Sequence, residues 1–393
     1  MSGEGGDTFI PYGRQEVTEE DIAAVTRVLR SDFLTQGPEV PAFERVVAAH
    51  CGARHAVAVN SGTSALHLAC LALGLGPGDV LWTSPITFVA SANCGAYCGA
   101  AVDFVDIDPR TRNISPAALE EKLRKADRQG RLPKVLVVVH FAGRGAEMRE
   151  IAELARAHGV RIIEDAAHAL GGAYDGRPIG CGAWSDITTL SFHPVKIITS
   201  AEGGMALTND DALAETMRLL RAHGITRDAA RLEHDDAPWY YEQRALGMNY
   251  RMPDVLAALG RSQMGRLTTY VERRAALAKR YHALLAGLPL TLPPKDDARH
   301  ASAWHLYAVE VDEEAAGKTR REVFEAMRAA NIGVQVHYIP VHLQPFYRQR
   351  GFGPGMFPAA EAYYARALSL PLFPTLSEAD QDRVVATLRE ALR

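Results

Sequence analysis

Cysteine is scarce in this chain: five in 393 residues, an odd number at irregular spacing. That excludes a disulfide framework and suits a reducing compartment. Cys94 and Cys98 share one helix face at i and i+4, yet no histidine pair stands nearby at zinc spacing, so they read as small apolar core residues. A basic surface is missing too. The 43 Lys and Arg against 47 Asp and Glu leave a net charge of -4 and a pI near 6.4, which argues against nucleic acid as the main partner. No apolar run is long enough to span a bilayer, and the start, Met-Ser-Gly-Glu-Gly-Gly-Asp, lacks the apolar core of a signal peptide, so a cytoplasmic protein is expected. Internal repeats and low-complexity tracts are absent. The remaining composition, 47% hydrophobic and 23% charged, is that of a soluble globular protein, and the length exceeds what one core usually supports.

What is present is alternation. Helical periodicity over 18–30, opened by a Thr18 and Asp21 capping box, is followed by a helix over 41–51 and a wholly apolar strand over 55–60. Helices at 61–73, 86–98, 116–125 and 147–158 then alternate with strands at 79–83, 101–107, 134–140 and 160–165. Such a pattern predicts a doubly wound, mostly parallel sheet with its ligand at the carboxyl ends of the strands, where Asn60, Ser84, His140 and Asp165 all fall. A helix over 211–223 precedes a polar, aromatic segment, 224–252, with little periodicity; a loop that long is usually functional. Pro253 opens a long helix to 284, followed by a smaller α/β unit with strands at 304–311 and 333–339 and helices at 320–330 and 378–392. The expected division is 1–255, a large domain, and 256–393, a smaller C-terminal domain.

The stretch 186–210 carries one lysine, Lys196, between two apolar strands, after a break at His193-Pro194 and before Gly203-Gly204. Such a lysine is either an exposed residue on a turn or an amine kept dry enough to attack an aldehyde. Ser61-Gly62-Thr63-Ser64, between a buried strand and a helix, is either a plain N-cap or a phosphate cradle at the positive end of the helix dipole. Asp165 ends a buried strand with His168 three residues on. A pyridoxal phosphate enzyme needs such a carboxylate facing the pyridine nitrogen; a metal on Glu164, Asp165 and His168 is disfavoured because adjacent strand residues point to opposite faces. Phe88 either stacks on a ligand ring or packs in the core, and Ser191 either adds a phosphate contact or is an ordinary hydroxyl.

These residues lie in segments that resemble the DegT/DnrJ/EryC1/StrS sugar aminotransferases over nearly the whole chain. They include Leu34-Thr35-Gln36-Gly37-Pro38, Asn60-Ser61-Gly62-Thr63-Ser64, Thr87-Phe88-Val89-Ala90, Glu164-Asp165-Ala166-Ala167-His168, Ser191-Phe192-His193-Pro194-Val195-Lys196, Gly247-Met248-Asn249-Tyr250-Arg251 and His337-Tyr338-Ile339-Pro340-Val341-His342. The resemblance implies an α/β, fold type I enzyme that binds pyridoxal 5'-phosphate (PLP) and works as a homodimer with shared sites. Lys196 would be its Schiff-base lysine and proton shuttle, and Asp165 the partner of the pyridine nitrogen. His168 would lie near the ring oxygen, with Phe88 on the ring and Gly62, Thr63, Ser64 and Ser191 on the phosphate. Asn249 would reach the neighbouring subunit's phosphate, and Arg251, His337 and Tyr338 would contact the substrate. The implied reaction moves an amino group from L-glutamate to a nucleotide-linked 4-keto-6-deoxy sugar. The Ser-Phe-His-Pro-Val-Lys run looks most like the branch that makes UDP-4-amino-4,6-dideoxy-N-acetyl-β-L-altrosamine for pseudaminic acid. A 3-dehydratase of the same fold carries histidine at the lysine position, so Lys196 disfavours it; a non-catalytic, PLP-binding regulator is the third reading. Arg144, where many relatives have glutamine, and the residues after Lys196 depart from the family pattern and bear on the choice of sugar.

Overall fold

The computed structural model describes residues 8–234 and 237–393; the acidic, glycine-rich start over 1–7 lies outside the described residues. Thr18 and Asp21 form the expected capping box, with the Thr18 N–H donating to Asp21 Oδ2 at 3.0 Å, and open α1 (Glu19–Leu29). Helix α2 (Glu39–Cys51) stops at Gly52, whose positive φ ends it without Cβ strain. The alternating part follows as β1 (His55–Val59), α3 (Gly62–Ala72), β2 (Val80–Thr83), α4 (Ala90–Tyr97), β3 (Ala101–Phe104), α5 (Pro116–Arg128), β4 (Val135–Val139), α6 (Met148–Ala157) and β5 (Arg161–Asp165). The stretch holding the lysine contributes β6 (Ile187–Ser191) and β7 (Gly204–Thr208), with α7 (Asp211–Leu220) after them.

The seven strands form one sheet in the order β1-β7-β6-β5-β4-β2-β3. Pairing is parallel from β6 to β3, and β7 alone runs against its neighbours β1 and β6. The sheet is therefore mostly parallel, as expected. Apolar side chains cover both faces: Val57, Leu68, Val137, Ile163 and Met217 lie in one buried cluster, Trp82, Leu136, Val138, Ile151 and Ile162 in another. That explains why these strands are continuously apolar rather than alternating.

Two expectations are corrected. The long helix over 253–284 is two helices, α8 (Asp254–Met264) and α9 (Leu267–Leu284), and Pro253 precedes the first turn as its cap. Gly265, a poor helix former, ends α8, and Arg266 turns to pair with the buried Asp21 at 2.5 Å. The second sheet joins β8 (Leu290–Thr291), β9 (Tyr307–Val311) and β10 (Ala367–Leu370). Helix α10 (Arg320–Ala329) precedes the stretch read as a strand over 333–339, which makes only one bridge, Gln335 to Ser369, before leaving the sheet edge. Its departure delivers His337 and Tyr338 to the cavity described below, and 367–370 takes the edge position instead. Helices α11 (Pro358–Arg366) and α12 (Glu378–Ala391) complete this part, whose core of Val309, Val323, Leu370 and Leu388 also takes in Ile10 from the start of the described chain. No helix among the described residues is long and apolar enough to cross a membrane.

Candidate active site

One cavity of about 430 Å³ opens at the carboxyl ends of β5 and β6. Its walls come from the turn after β1, the segment after β2, the ends of β5 and β6, the lysine loop and the 337–338 turn.

The turn after β1 is shaped by hydroxyls. Ser61 caps α3, its Oγ accepting the Ser64 N–H at 3.1 Å, and the Ser64 hydroxyl donates to Asn60 Oδ1 at 2.6 Å. Ser64 is thereby turned inward, and around this turn Ser61, Thr63 and Ser191 line the cavity wall. Gly62 lets this turn touch the end of β6, since a Cβ there would meet Ser191 Cβ at 2.9 Å. Gly204 brings β7 equally close, with Ser61 O only 2.3 Å from an added Cβ.

Asp165 is buried at the end of β5. Its Oδ1 accepts the Ala167 N–H at 3.1 Å and its Oδ2 the Ser91 hydroxyl at 2.6 Å. Glu164 points the other way, to His140 Nε2 at 2.7 Å and the Ser185 hydroxyl at 2.5 Å, so these neighbouring carboxylates diverge and share no site. Of the four polar strand ends, His140, Ser84 and Asn60 are engaged within the fold, and Asp165 alone lines the cavity.

Lys196 projects from the lysine loop into the same cavity. Desolvation lowers its ammonium pKa to about 8, against an upward pull from the Asp165 carboxylate. His168 is held far below the ordinary imidazole value by burial, then by the charges of Lys196 and His337. Its Nε2 lies 3.1 Å from the Tyr338 hydroxyl, while its buried Nδ1 has no hydrogen-bond partner. His337, pushed down to about 3 by burial and Lys196, contacts the Ser369 hydroxyl at 2.9 Å. Phe88 is no core residue: 58% of it is exposed at the cavity wall, 6.4 Å from the Tyr338 ring.

The cavity thus gathers Gly62, Thr63, Phe88, Asp165, His168, Ser191, Lys196, His337 and Tyr338. Ser64 stands just outside it, and Asn249 and Arg251 line no part of it within this chain. Their stretch is fixed by backbone contacts, Asn60 N–H to Tyr250 O at 2.9 Å and bridges from Val59 to Arg251 and from Ala222 to Asn249. Residue-by-residue reading gave no role to Tyr12, Thr87, His305 or Glu202, all of which line the cavity, nor to Ser91 behind it. Thr87 opens the Thr87-Phe88-Val89-Ala90 segment; nothing in the local pattern marks His305. Arg144 lies elsewhere, donating to Lys295 O at 3.0 Å and Asp297 Oδ2 at 2.7 Å, so this departure from the family pattern serves a tie between segments.

The residues fit the cofactor that the resemblance implies. The glycine-lined cradle would be closed by any Cβ at Gly62, an unpaired imidazole nitrogen awaits a partner, and an aromatic face, a carboxylate and a desolvated amine share one cavity.

Residues 15–389 match the DegT/DnrJ/EryC1/StrS aminotransferase family. The spore coat polysaccharide biosynthesis protein SpsC of Bacillus subtilis (strain 168) is 42% identical over 389 residues, 98% of this chain and 97% of its own. Helicobacter pylori PseC, an aminotransferase of pseudaminic acid biosynthesis, superposes with a TM-score of 0.88 at 29% identity, covering 98% of this chain and 99% of its own. Spr1654 of Streptococcus pneumoniae, solved in PLP and PMP forms, gives a TM-score of 0.87 at 27% identity for the PLP form, covering 98% of both chains.

Proposed function

Because the chain belongs to the DegT/DnrJ/EryC1/StrS family and is a PLP-dependent sugar aminotransferase, we propose that it aminates C4 of a UDP-linked 4-keto-6-deoxy sugar with L-glutamate as donor. The observation that carries the reading is the convergence of Lys196, Asp165 and the Gly62–Ser191 cradle on one cavity. The likeness to PseC and to a polysaccharide biosynthesis protein supports the choice of sugar class.

In this reading the N–H groups of Gly62 and Thr63 and the hydroxyls of Thr63 and Ser191 hold the phosphate, where the positive end of α3 favours an anion. Phe88 would cover one ring face, and Asp165, its two oxygens already oriented by Ser91 and Ala167, would meet the pyridine nitrogen. When bound, PLP supplies an aldehyde carbon that takes an amine and a ring that withdraws electrons from the carbon next to it. The chain supplies the proton transfers. Lys196 Nζ, with a pKa of about 8, is neutral in about a tenth of molecules at pH 7, far more often than an unshifted lysine, so it can accept a proton in one half-reaction and return it in the other. The exposed Asn249 and half-buried Arg251 face outward from the 224–252 segment, which supports a homodimer in which Asn249 of the partner subunit completes the phosphate site. An arginine suits a nucleotide diphosphate because its planar donors pair with two oxygens at once.

The test is to incubate the enzyme with L-glutamate and UDP-, GDP- and dTDP-linked keto sugars and identify products by NMR. A 4-amino sugar formed from the UDP substrate is expected; amination at C3, or only of another nucleotide's sugar, overturns the proposal.

A further inference from the structure

The carboxylate of Asp165 is held from behind by a residue outside the cavity. Ser91, in the first turn of α4, has no exposed surface and lines no part of the cavity, yet its hydroxyl lies 2.6 Å from Asp165 Oδ2. A hydroxyl has one proton to give, and this one is committed to the carboxylate, which can only accept. The 2.7 Å contact between Ser91 Oγ and Thr87 Oγ1 must therefore run from Thr87 to Ser91. Thr87 does line the cavity. The two hydroxyls form a one-way relay, Thr87 to Ser91 to Asp165.

The terminal torsion of an aspartate is broad and barely restrained on its own. Here the Ala167 N–H on one oxygen and the Ser91 hydroxyl on the other fix the carboxylate plane. Asp165 is 6% exposed, so water is poorly placed to substitute for a lost donor. We infer that Ser91 is a positioning residue of the transamination, acting through Asp165, with Thr87 fixing the direction in which its proton points. This rests on the reading that Asp165 meets the cofactor's ring nitrogen.

The test compares PLP-loaded Ser91→Ala, Ser91→Thr, Thr87→Val, Asp165→Asn and the Ser91→Ala/Asp165→Asn double variant. Readouts are PLP dissociation by fluorescence, kcat, and the pH midpoint of lysine reactivity in the cofactor-free protein. Ser91→Ala is expected to weaken PLP binding and kcat by about tenfold each, because a buried carboxylate oxygen loses its donor. Ser91→Thr keeps the hydroxyl and should restore most of this, and the near-isosteric Thr87→Val, which preserves packing, should cost about threefold. The midpoint of Lys196 should rise in Ser91→Ala, since a carboxylate freed of its donor attracts the ammonium more strongly; the imidazoles facing Lys196, His168, His305 and His337, are unchanged by the substitution. The double variant should be no worse than Asp165→Asn alone. Additive losses in the double variant, or Ser91→Ala behaving as wild type while Asp165→Asn fails, overturn the inference alone. Asp165→Asn that binds and turns over like wild type instead removes the reading of Asp165 on which it rests.

Discussion

The strand-end cavity and the 224–252 segment differ in what holds them. In the cavity, groups are fixed by this chain: Asp165 by two donors, Ser191 by contact with Gly62, His168 by Tyr338. In 224–252, Trp239 is 79% and Leu246 83% exposed, regular structure among the described residues is limited to a short 3-10 turn and a two-residue strand pair, and Asn249 and Arg251 line no part of this chain's own cavity. Large apolar side chains left that open are expected to be covered by another surface. The cavity is thus preorganised by one chain, whereas the segment leaves its apolar side chains open, which is what the proposed homodimer would cover.

The largest effect is expected from Lys196→Ala, which should lower turnover by about 10³–10⁴-fold while PLP is retained without covalent attachment, read by steady-state assay and by dialysis. Asp165→Asn should cost about a hundredfold in kcat through loss of a preorganised charge. If the segment acts across a dimer, Asn249→Asp, which sets a negative charge against the phosphate, is expected to be poorly active. Mixing it with Lys196→Ala chains should recover up to about a quarter of wild-type activity, since a random hybrid keeps one intact site. Mixed chains no more active than either parent would place both residues in one subunit's site. Gly62→Ala should weaken PLP binding about tenfold, because its Cβ displaces Ser191, with little change in the melting temperature. The smallest effect is a shift in pH. Reaction of the cofactor-free protein with PLP should rise through about pH 8 and level off above it, as Lys196 loses its proton, whereas an unshifted lysine would keep gaining to about 10.4. Removing the carboxylate in Asp165→Asn takes away the upward pull, so the midpoint should move below 8.

The parallel sheet was legible because its strands are buried on both faces and so read as unbroken apolar runs, and the strand-end rule then located Asp165 and the cradle. The reversed direction of β7 was not legible, since Gly204–Thr208 is buried throughout, like the parallel strand β4. The break between α8 and α9 hid behind continuous helical periodicity and depends on the tertiary pair of Arg266 with Asp21. The resemblance put Ser64 on the phosphate, and the direction of its hydroxyl, toward Asn60 Oδ1, comes from the fold and not from the local pattern. Ser91 and His305 carry no local signal because they act on residues 74 and 137 positions away in the chain, and only the fold brings them there.

Borohydride reduction of the PLP-loaded protein, followed by peptide mass mapping, shows whether the amine is handled at Lys196. The cofactor mass should appear on the peptide carrying Lys196 and vanish in Lys196→Ala. Label on another lysine, or none in a protein that binds PLP, would contradict it.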